Sequence, residues 1–65
     1  MKNNIKNLRA KYDLTQDKLA ELLHVSRQTI ISLENERYNP SIKLAFKISR
    51  VFHCKIEDVF IYEGD

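Results

Sequence analysis

Residues 16–35 read QDKLAELLHVSRQTIISLEN, and their apolar pattern predicts two short helices joined by a tight corner. The apolar residues recur at spacings of one, three and four, and at roughly 100° per residue each set shares one helix face. The two helices can therefore pack against each other through these faces. The inward positions, including one in the corner, are Leu19, Ala20, Leu23, Val25, Ile30 and Leu33.

The outward face of the second helix differs from that of an ordinary surface helix. It carries Gln28, Ile31, Ser32 and Asn35, with Arg27 at its margin. A helix that needs only solubility more often shows Glu and Lys, whereas most of these side chains hydrogen-bond base edges and phosphates. The pattern therefore favours nucleic-acid recognition.

This stretch resembles the helix-turn-helix of the Cro/CI repressor family, also called the xenobiotic-response-element type. The likeness rests on Gln16 and Ala20, on the run VSRQTI, and on the later segments YNPSIKLAFKI and IEDVF. It implies an all-α, compact five-helix, lambda-repressor-like DNA-binding domain with a short extended C-terminal tail, and a single domain over residues 1–65. His24 departs from the pattern, because the family often has Gly at this corner. Histidine tolerates the left-handed conformation at some cost.

The resemblance implies two sets of DNA contacts. The residues expected to contact bases are Arg27, Gln28, Ile31 and Ser32. Gln28 can bond an adenine through two atoms, Arg27 can take a guanine or a phosphate, and Ile31 can touch a thymine methyl group. The residues expected to contact phosphates are Gln16, Ser26, Thr29, Asn35, Arg37 and Tyr38. An ordinary exposed glutamine at Gln16 and a packed aromatic at Tyr38 are the alternatives.

The flanking segments supply the other predicted helices. A first helix lies within residues 1–13, and its apolar face consists of Ile5, Leu8 and Tyr12. The resemblance implies that Arg9 of this helix pairs with Glu34, which would tie it to the helix-turn-helix. The predicted N-caps are Thr15, Ser26 and Ser41.

The most apolar predicted helix, residues 42–52, should form the back of the core through Leu44, Ala45, Ile48, Val51 and Phe52. A last short helix carries Ile56, Val59 and Phe60, and Ile61 and Tyr62 continue as an extended tail. This apolar tail is surplus to a five-helix core and therefore predicts a partner surface. The expected homodimer interface consists of Phe46, Phe60, Ile61 and Tyr62.

Composition excludes several classes of protein. One cysteine cannot form an internal disulfide, which fits a reducing cytosol, and no apolar run approaches a membrane span. A net charge of +2 is compatible with nucleic acid but does not argue for it alone. His53 and Cys54 fall short of the three or four ligands that a zinc site needs. We therefore expect a cytoplasmic protein with no membrane contact, no metal, no cofactor and no small-molecule effector.

Three functions are consistent with these features. The first is a repressor that binds double-stranded DNA at a palindromic operator as a homodimer. The alternatives are an antitoxin-type autorepressor and a protein-interaction module such as an anti-repressor, for which the recognition face should show exposed aromatic or leucine side chains. An enzyme is disfavoured, because the sequence has no Ser/His/acid set, no glycine-rich phosphate loop and no metal cluster.

Overall fold

A computed structural model of the chain describes residues 1–64. Within this range there are five helices and two strands of two residues each. The helices are α1 (Ile5–Lys11), α2 (Gln16–Leu23), α3 (Arg27–Glu34), α4 (Ile42–Val51) and α5 (Ile56–Val59). The strands are β1 (Lys2–Asn3) and β2 (Phe60–Ile61). The predicted all-α architecture with five helices is confirmed, and the two short strands are additions to it.

Hydroxyl side chains fix where three of the helices begin. Thr15, Ser26 and Ser41 each accept a hydrogen bond from the backbone amide three residues later, at 3.0, 3.2 and 3.1 Å. These bonds satisfy amides of the first turn that have no partner within the helix. The three predicted N-caps are therefore confirmed.

The C-terminal ends of α1, α2, α3 and α4 share one arrangement. A residue other than glycine takes a left-handed conformation after each helix, with φ of 55°, 59°, 61° and 51° at Asp13, His24, Glu36 and His53. The amide of the following residue then bonds to the carbonyl five residues back, at 2.9 to 3.0 Å. This closure satisfies the last carbonyls and turns the chain sharply. The left-handed corner expected at His24 is present.

All five helices contribute to one core. The buried apolar side chains are Ile5, Leu19, Ala20, Leu23, Ile30, Leu33, Leu44, Ala45, Ile48, Phe52, Val59 and Phe60. Of the residues predicted to face the core from the fourth helix, only Val51 is partly exposed. Tyr12 packs its ring on Phe52, with the ring centroids 5.8 Å apart, and its hydroxyl donates to the Phe52 carbonyl at 3.1 Å.

The two strands join the ends of the chain. They pair antiparallel, with Lys2 opposite Ile61 and Asn3 opposite Phe60. The first helix therefore begins at Ile5, because the residues before it belong to the strand and the Asn3 carboxamide oxygen accepts from the Ile5 amide at 3.1 Å. Phe60, which we assigned to a dimer interface, packs into the core and is only 9% exposed. Little of its side chain is left for a partner.

Glu36→Gly should stabilise the fold, because glycine adopts the left-handed conformation without the steric cost that a Cβ atom adds. We expect a net gain of up to about 1 kcal/mol in the free energy of unfolding. This net value allows for the loss caused by the greater conformational entropy of glycine in the unfolded chain. Urea titration checks this value. Glu36→Ala, which removes the same carboxylate but keeps the Cβ atom, is the matched control, and equal stability of the two variants would contradict the explanation.

Candidate nucleic-acid interface

The recognition helix, α3, is held by its inward face and presents its other face to solvent. Ile30 and Leu33 are 0% and 1% exposed and pack against α2. Arg27, Gln28 and Asn35 are exposed, whereas the outward residues Thr29, Ile31 and Ser32 are half-buried. The outward row predicted from the sequence thus lies on the surface, supported from behind by the core.

Six of the residues expected to contact DNA line one shallow depression beside α3. They are Ser26, Gln28, Thr29, Ser32, Arg37 and Tyr38. The Ser26 and Thr29 hydroxyls lie 3.0 Å apart and hydrogen-bond to each other. The structure therefore brings together residues expected to contact bases and residues expected to contact phosphates. Gln16, Arg27, Ile31 and Asn35 lie outside this depression.

Tyr38 is not a core aromatic, since 42% of its surface is exposed. It also lines a second depression, which continues the first toward α4 and includes Lys43 and Lys47. These two lysines were missed by the sequence analysis. Their spacing of four residues places them on one helix face, and that spacing was the signal available in the sequence.

A buried ion pair connects α1 to the end of α3. Arg9 Nε lies 2.6 Å from Glu34 Oε2, and Arg9 Nη2 lies 3.1 Å from Glu34 Oε1. The two side chains are 15% and 7% exposed. Arg9 Nη1 also donates to the Leu14 carbonyl at 3.0 Å, which fixes the connection between α1 and α2. The pair implied by the resemblance is thus present with both carboxylate oxygens bonded.

Gln16 links the ion pair of Arg9 and Glu34 to Arg27 at the first turn of α3. Its Nε2 donates to Glu34 Oε1 at 3.0 Å, and its Oε1 accepts from Arg27 Nε at 3.5 Å. The side chain is half-buried and bonded at both ends, unlike an ordinary exposed glutamine. Its amide nitrogen has a second N–H available for an acceptor such as a phosphate.

The Glu34 carboxylate is stabilised in its charged form. Burial raises the pKa of this carboxyl, but the hydrogen bonds from Arg9 and Gln16 and the positive charges of Arg9 and Lys6 together lower it by more, so the pKa lies below its ordinary value. The charged form is therefore the one that the folded protein favours.

Outside this face, the described residues include a free thiol, that of Cys54. Burial raises the pKa of the Cys54 thiol, which keeps the thiol neutral. Within the described residues, no group of three or more His, Cys, Asp or Glu side chains is placed to hold a metal ion. In the same part of the chain, no helix has the length and apolar character needed to cross a membrane.

Comparison with known proteins gives consistent results. A family model described as helix-turn-helix matches residues 5–59. An HTH-type transcriptional regulator of Methanocaldococcus jannaschii is 60% identical over all of this chain and 98% of its own length. A second, from Archaeoglobus fulgidus, is 54% identical over all of this chain and 92% of its own length. The crystal structure of a transcriptional regulator from Listeria innocua matches all of this chain with a TM-score of 0.83 at 22% identity, and this chain spans 64% of that protein.

Glu34→Gln should destabilise the protein at about pH 7 by roughly 1–3 kcal/mol, because a charged acceptor buried against Arg9 is replaced by a neutral group. The sign of the pH dependence follows from the lowered pKa. A carboxyl with a lower pKa in the folded state contributes stability above its unfolded pKa of about 4.3, and this contribution is lost as the pH falls through the folded value. The difference in the free energy of unfolding between wild type and variant should therefore shrink as the pH falls below about 4.3 and through the lower folded value.

Thermal unfolding followed by circular dichroism from neutral to acidic pH measures this difference. Glu21→Gln is the control, because its side chain is 73% exposed and should change stability little at any pH. If Glu34→Gln is destabilised as much at acidic pH as at neutral pH, the charge of Glu34 is not what stabilises the contact.

Proposed function

The chain belongs to the Cro/CI-type helix-turn-helix family and is a transcriptional regulator with a helix-turn-helix DNA-binding domain, and we propose that it represses transcription by occupying a palindromic operator as a homodimer. The observation that carries this proposal is the polar face of α3, whose outward side chains are supported from behind by the core. Arg27 and Gln28 stand on it at the first turn of the helix, the part that enters the major groove in such domains.

The side chains on this face suit base recognition. Gln28 is exposed at the first turn and offers a donor and an acceptor, which match N7 and N6 of adenine. Arg27 can donate to guanine in the same groove, and Ser32 follows deeper along the helix. Ile31 is half-buried and leaves part of its side chain for a thymine methyl group. An interaction module would instead need a largely apolar surface here.

The surrounding groups suit phosphate contacts, which position the helix without reading sequence. Arg37 and Tyr38 line the depression beside α3, with Ser26 and Thr29 at its other end. Gln16 stands at the first turn of α2, and Asn35 at the end of α3. Lys43 and Lys47 extend this set along α4.

A homodimer is supported by an exposed apolar surface on the side of α4 and β2. Phe46 and Ile61 are 53% and 38% exposed, and Tyr62 is 75% exposed. Two residues not expected from the sequence enlarge this surface, Ile42 and Met1, which are 76% and 52% exposed. A two-fold axis through such a patch would bury it against its own copy, and binding to successive turns of DNA would require the two α3 helices to lie about 34 Å apart.

Occupancy of an operator is sufficient for repression, because a bound dimer blocks access to the DNA that it covers. A selection of binding sites from random duplexes tests the function directly. We expect the selected duplexes to contain two inverted half-sites with centres about ten base pairs apart. Recovery of no preferred sequence would contradict the proposal.

Gln28→Ala and Arg37→Ala separate base reading from phosphate binding. Gln28→Ala should weaken binding to the selected operator by about 1–3 kcal/mol and relax preference at one base pair per half-site. Arg37→Ala should weaken binding to operator and scrambled duplexes equally. It should also reduce the slope of the logarithm of the binding constant against the logarithm of the salt concentration, by about one for each phosphate that the variant no longer neutralises. Binding isotherms on both duplexes at several salt concentrations give these values. Equal weakening on the two duplexes for Gln28→Ala would show that α3 does not read the sequence.

Phe46→Asp should convert the dimer into a monomer, because it places a charge in the apolar surface that the partner copy covers. Analytical ultracentrifugation across micromolar concentrations measures the change. Leu22→Asp is the matched control, since Leu22 is 44% exposed on α2, outside this surface, and should leave the dimer intact. A wild-type protein that stays monomeric throughout, or an unchanged dimer in Phe46→Asp, would contradict the interface.

A further inference from the structure

A basic depression adjoins the depression beside α3. Its titratable lining residues are Tyr38 from the loop after α3, Lys43 and Lys47 from α4, and His24 from the corner of the helix-turn-helix. No Asp or Glu is among the lining residues. Tyr38 and Ser26 both line the depression beside α3, so the two surfaces are continuous through Tyr38. The volume of the basic depression is about 280 Å³, against about 30 Å³ for one water molecule, which leaves room for a phosphate group.

The cations around this depression have no anionic partner in the part of the chain that the structure describes. All ion pairs there involve other cations. His24 and Lys43 are exposed, and Lys47 is half-buried. Like charges one helical turn apart repel each other, and a charged imidazole beside them adds to this repulsion. An anion between the three side chains would relieve it.

Resting on the DNA-binding function proposed above, we propose that His24, Lys43 and Lys47 form a further binding site for a phosphate of the DNA backbone, to which His24 contributes only when protonated. His24 lies two residues before Ser26, which caps the recognition helix and is itself expected to contact a phosphate. The site therefore lies beside the expected path of the DNA backbone. Since backbone contacts carry no sequence information, it acts on every duplex alike.

The charge of His24 determines when it strengthens binding. A histidine side chain changes its charge between about pH 5 and pH 8, whereas lysine and tyrosine side chains keep theirs across this range. A phosphate favours the charged imidazole, so DNA binding takes up protons. The contribution of His24 is therefore present at the acidic end of this range and is lost as the pH rises.

His24→Asn removes the titratable charge and keeps a side chain that tolerates the left-handed conformation. Fluorescence anisotropy with a labelled duplex of random sequence gives the affinity at about pH 6 and pH 8. Wild-type affinity should be higher at the lower pH by up to about fivefold for each bound copy, the most that one exposed ion pair contributes. His24→Asn should match wild type at the higher pH and bind more weakly at the lower one.

His53→Asn is the matched control. His53 is also exposed and takes the same left-handed conformation, with φ of 51° against 59° at His24. It lines a depression that shares no residue with the two described above. It should therefore keep the wild-type dependence of affinity on pH. The proposal is overturned if His24→Asn keeps that dependence, or if His53→Asn loses as much of it.

Lys43→Gln tests the rest of the site. Because lysine is charged at both pH values, this variant should weaken binding to the random duplex at both. It should also reduce the slope of the logarithm of the binding constant against the logarithm of the salt concentration, by about one for each copy. An unchanged slope would show that no phosphate is bound there.

Isothermal titration calorimetry in two buffers of different ionisation enthalpy counts the protons taken up on binding at about pH 7. His24→Asn should take up fewer protons than wild type, and equal uptake would contradict the site. Failure of the parent function gives a different result, because wild type would then select no preferred sequence from random duplexes, whatever its response to pH. Wild type that selects an operator while His24→Asn responds to pH as wild type does refutes only the role of His24.

Discussion

Glu34 lies at the C-terminal end of α3 with its side chain 7% exposed, and both of its carboxylate oxygens accept hydrogen bonds from other helices. Burying a charge is costly unless it is fully paired, and here Arg9 and Gln16 supply the donors. The contact joins α1, α2 and α3 at one point, so the orientation of the recognition helix depends on it. Apolar packing through Ile30 and Leu33 fixes which face of α3 turns inward, but directional bonds fix how the helix lies along that face.

Such a contact matters more in a chain of 65 residues than in a large one. A domain of this size buries only about 60% of its unfolded surface, so apolar burial alone leaves little margin. The chain compensates with short connections that are closely hydrogen-bonded: serine or threonine caps at three helix starts and left-handed closures at four helix ends. The strand pair adds a further link between the two ends of the chain, and next to it the Asn4 amide donates to the Val59 carbonyl at 2.8 Å. These local bonds hold the framework on which α3 is presented.

Helices, caps and core positions were predictable because each depends on residues close together in the sequence. Apolar spacing identified Leu19 and Leu33, and hydroxyl residues marked helix starts. The strand pair was not predictable, since a strand of two residues is too short to show alternating apolar and polar side chains. In addition, the two strands lie at opposite ends of the chain. For the same reason Phe60 was assigned to a partner surface although it completes the core. Lys43 and Lys47 were missed although their spacing of four residues was visible, because the depression that they line with Tyr38 is formed by separate elements. The contact of Asp17 with Arg27 was missed for the same reason, since it joins α2 to α3.

The placement of charge links the two proposed surfaces of the protein. A net charge of +2 gives a weak overall field, so attraction to DNA must come from cations gathered at one face. Arg37 lies beside α3, and Lys43 and Lys47 line the adjoining depression, while Arg27 is partly neutralised by Asp17. A monomer that relies on these few cations should bind DNA weakly at physiological salt, because each phosphate that is neutralised releases about one counterion or less. A dimer doubles these contacts on one duplex at a single association cost. In the proposed homodimer, the apolar surface around Phe46 would therefore be as necessary to operator binding as the polar face of α3.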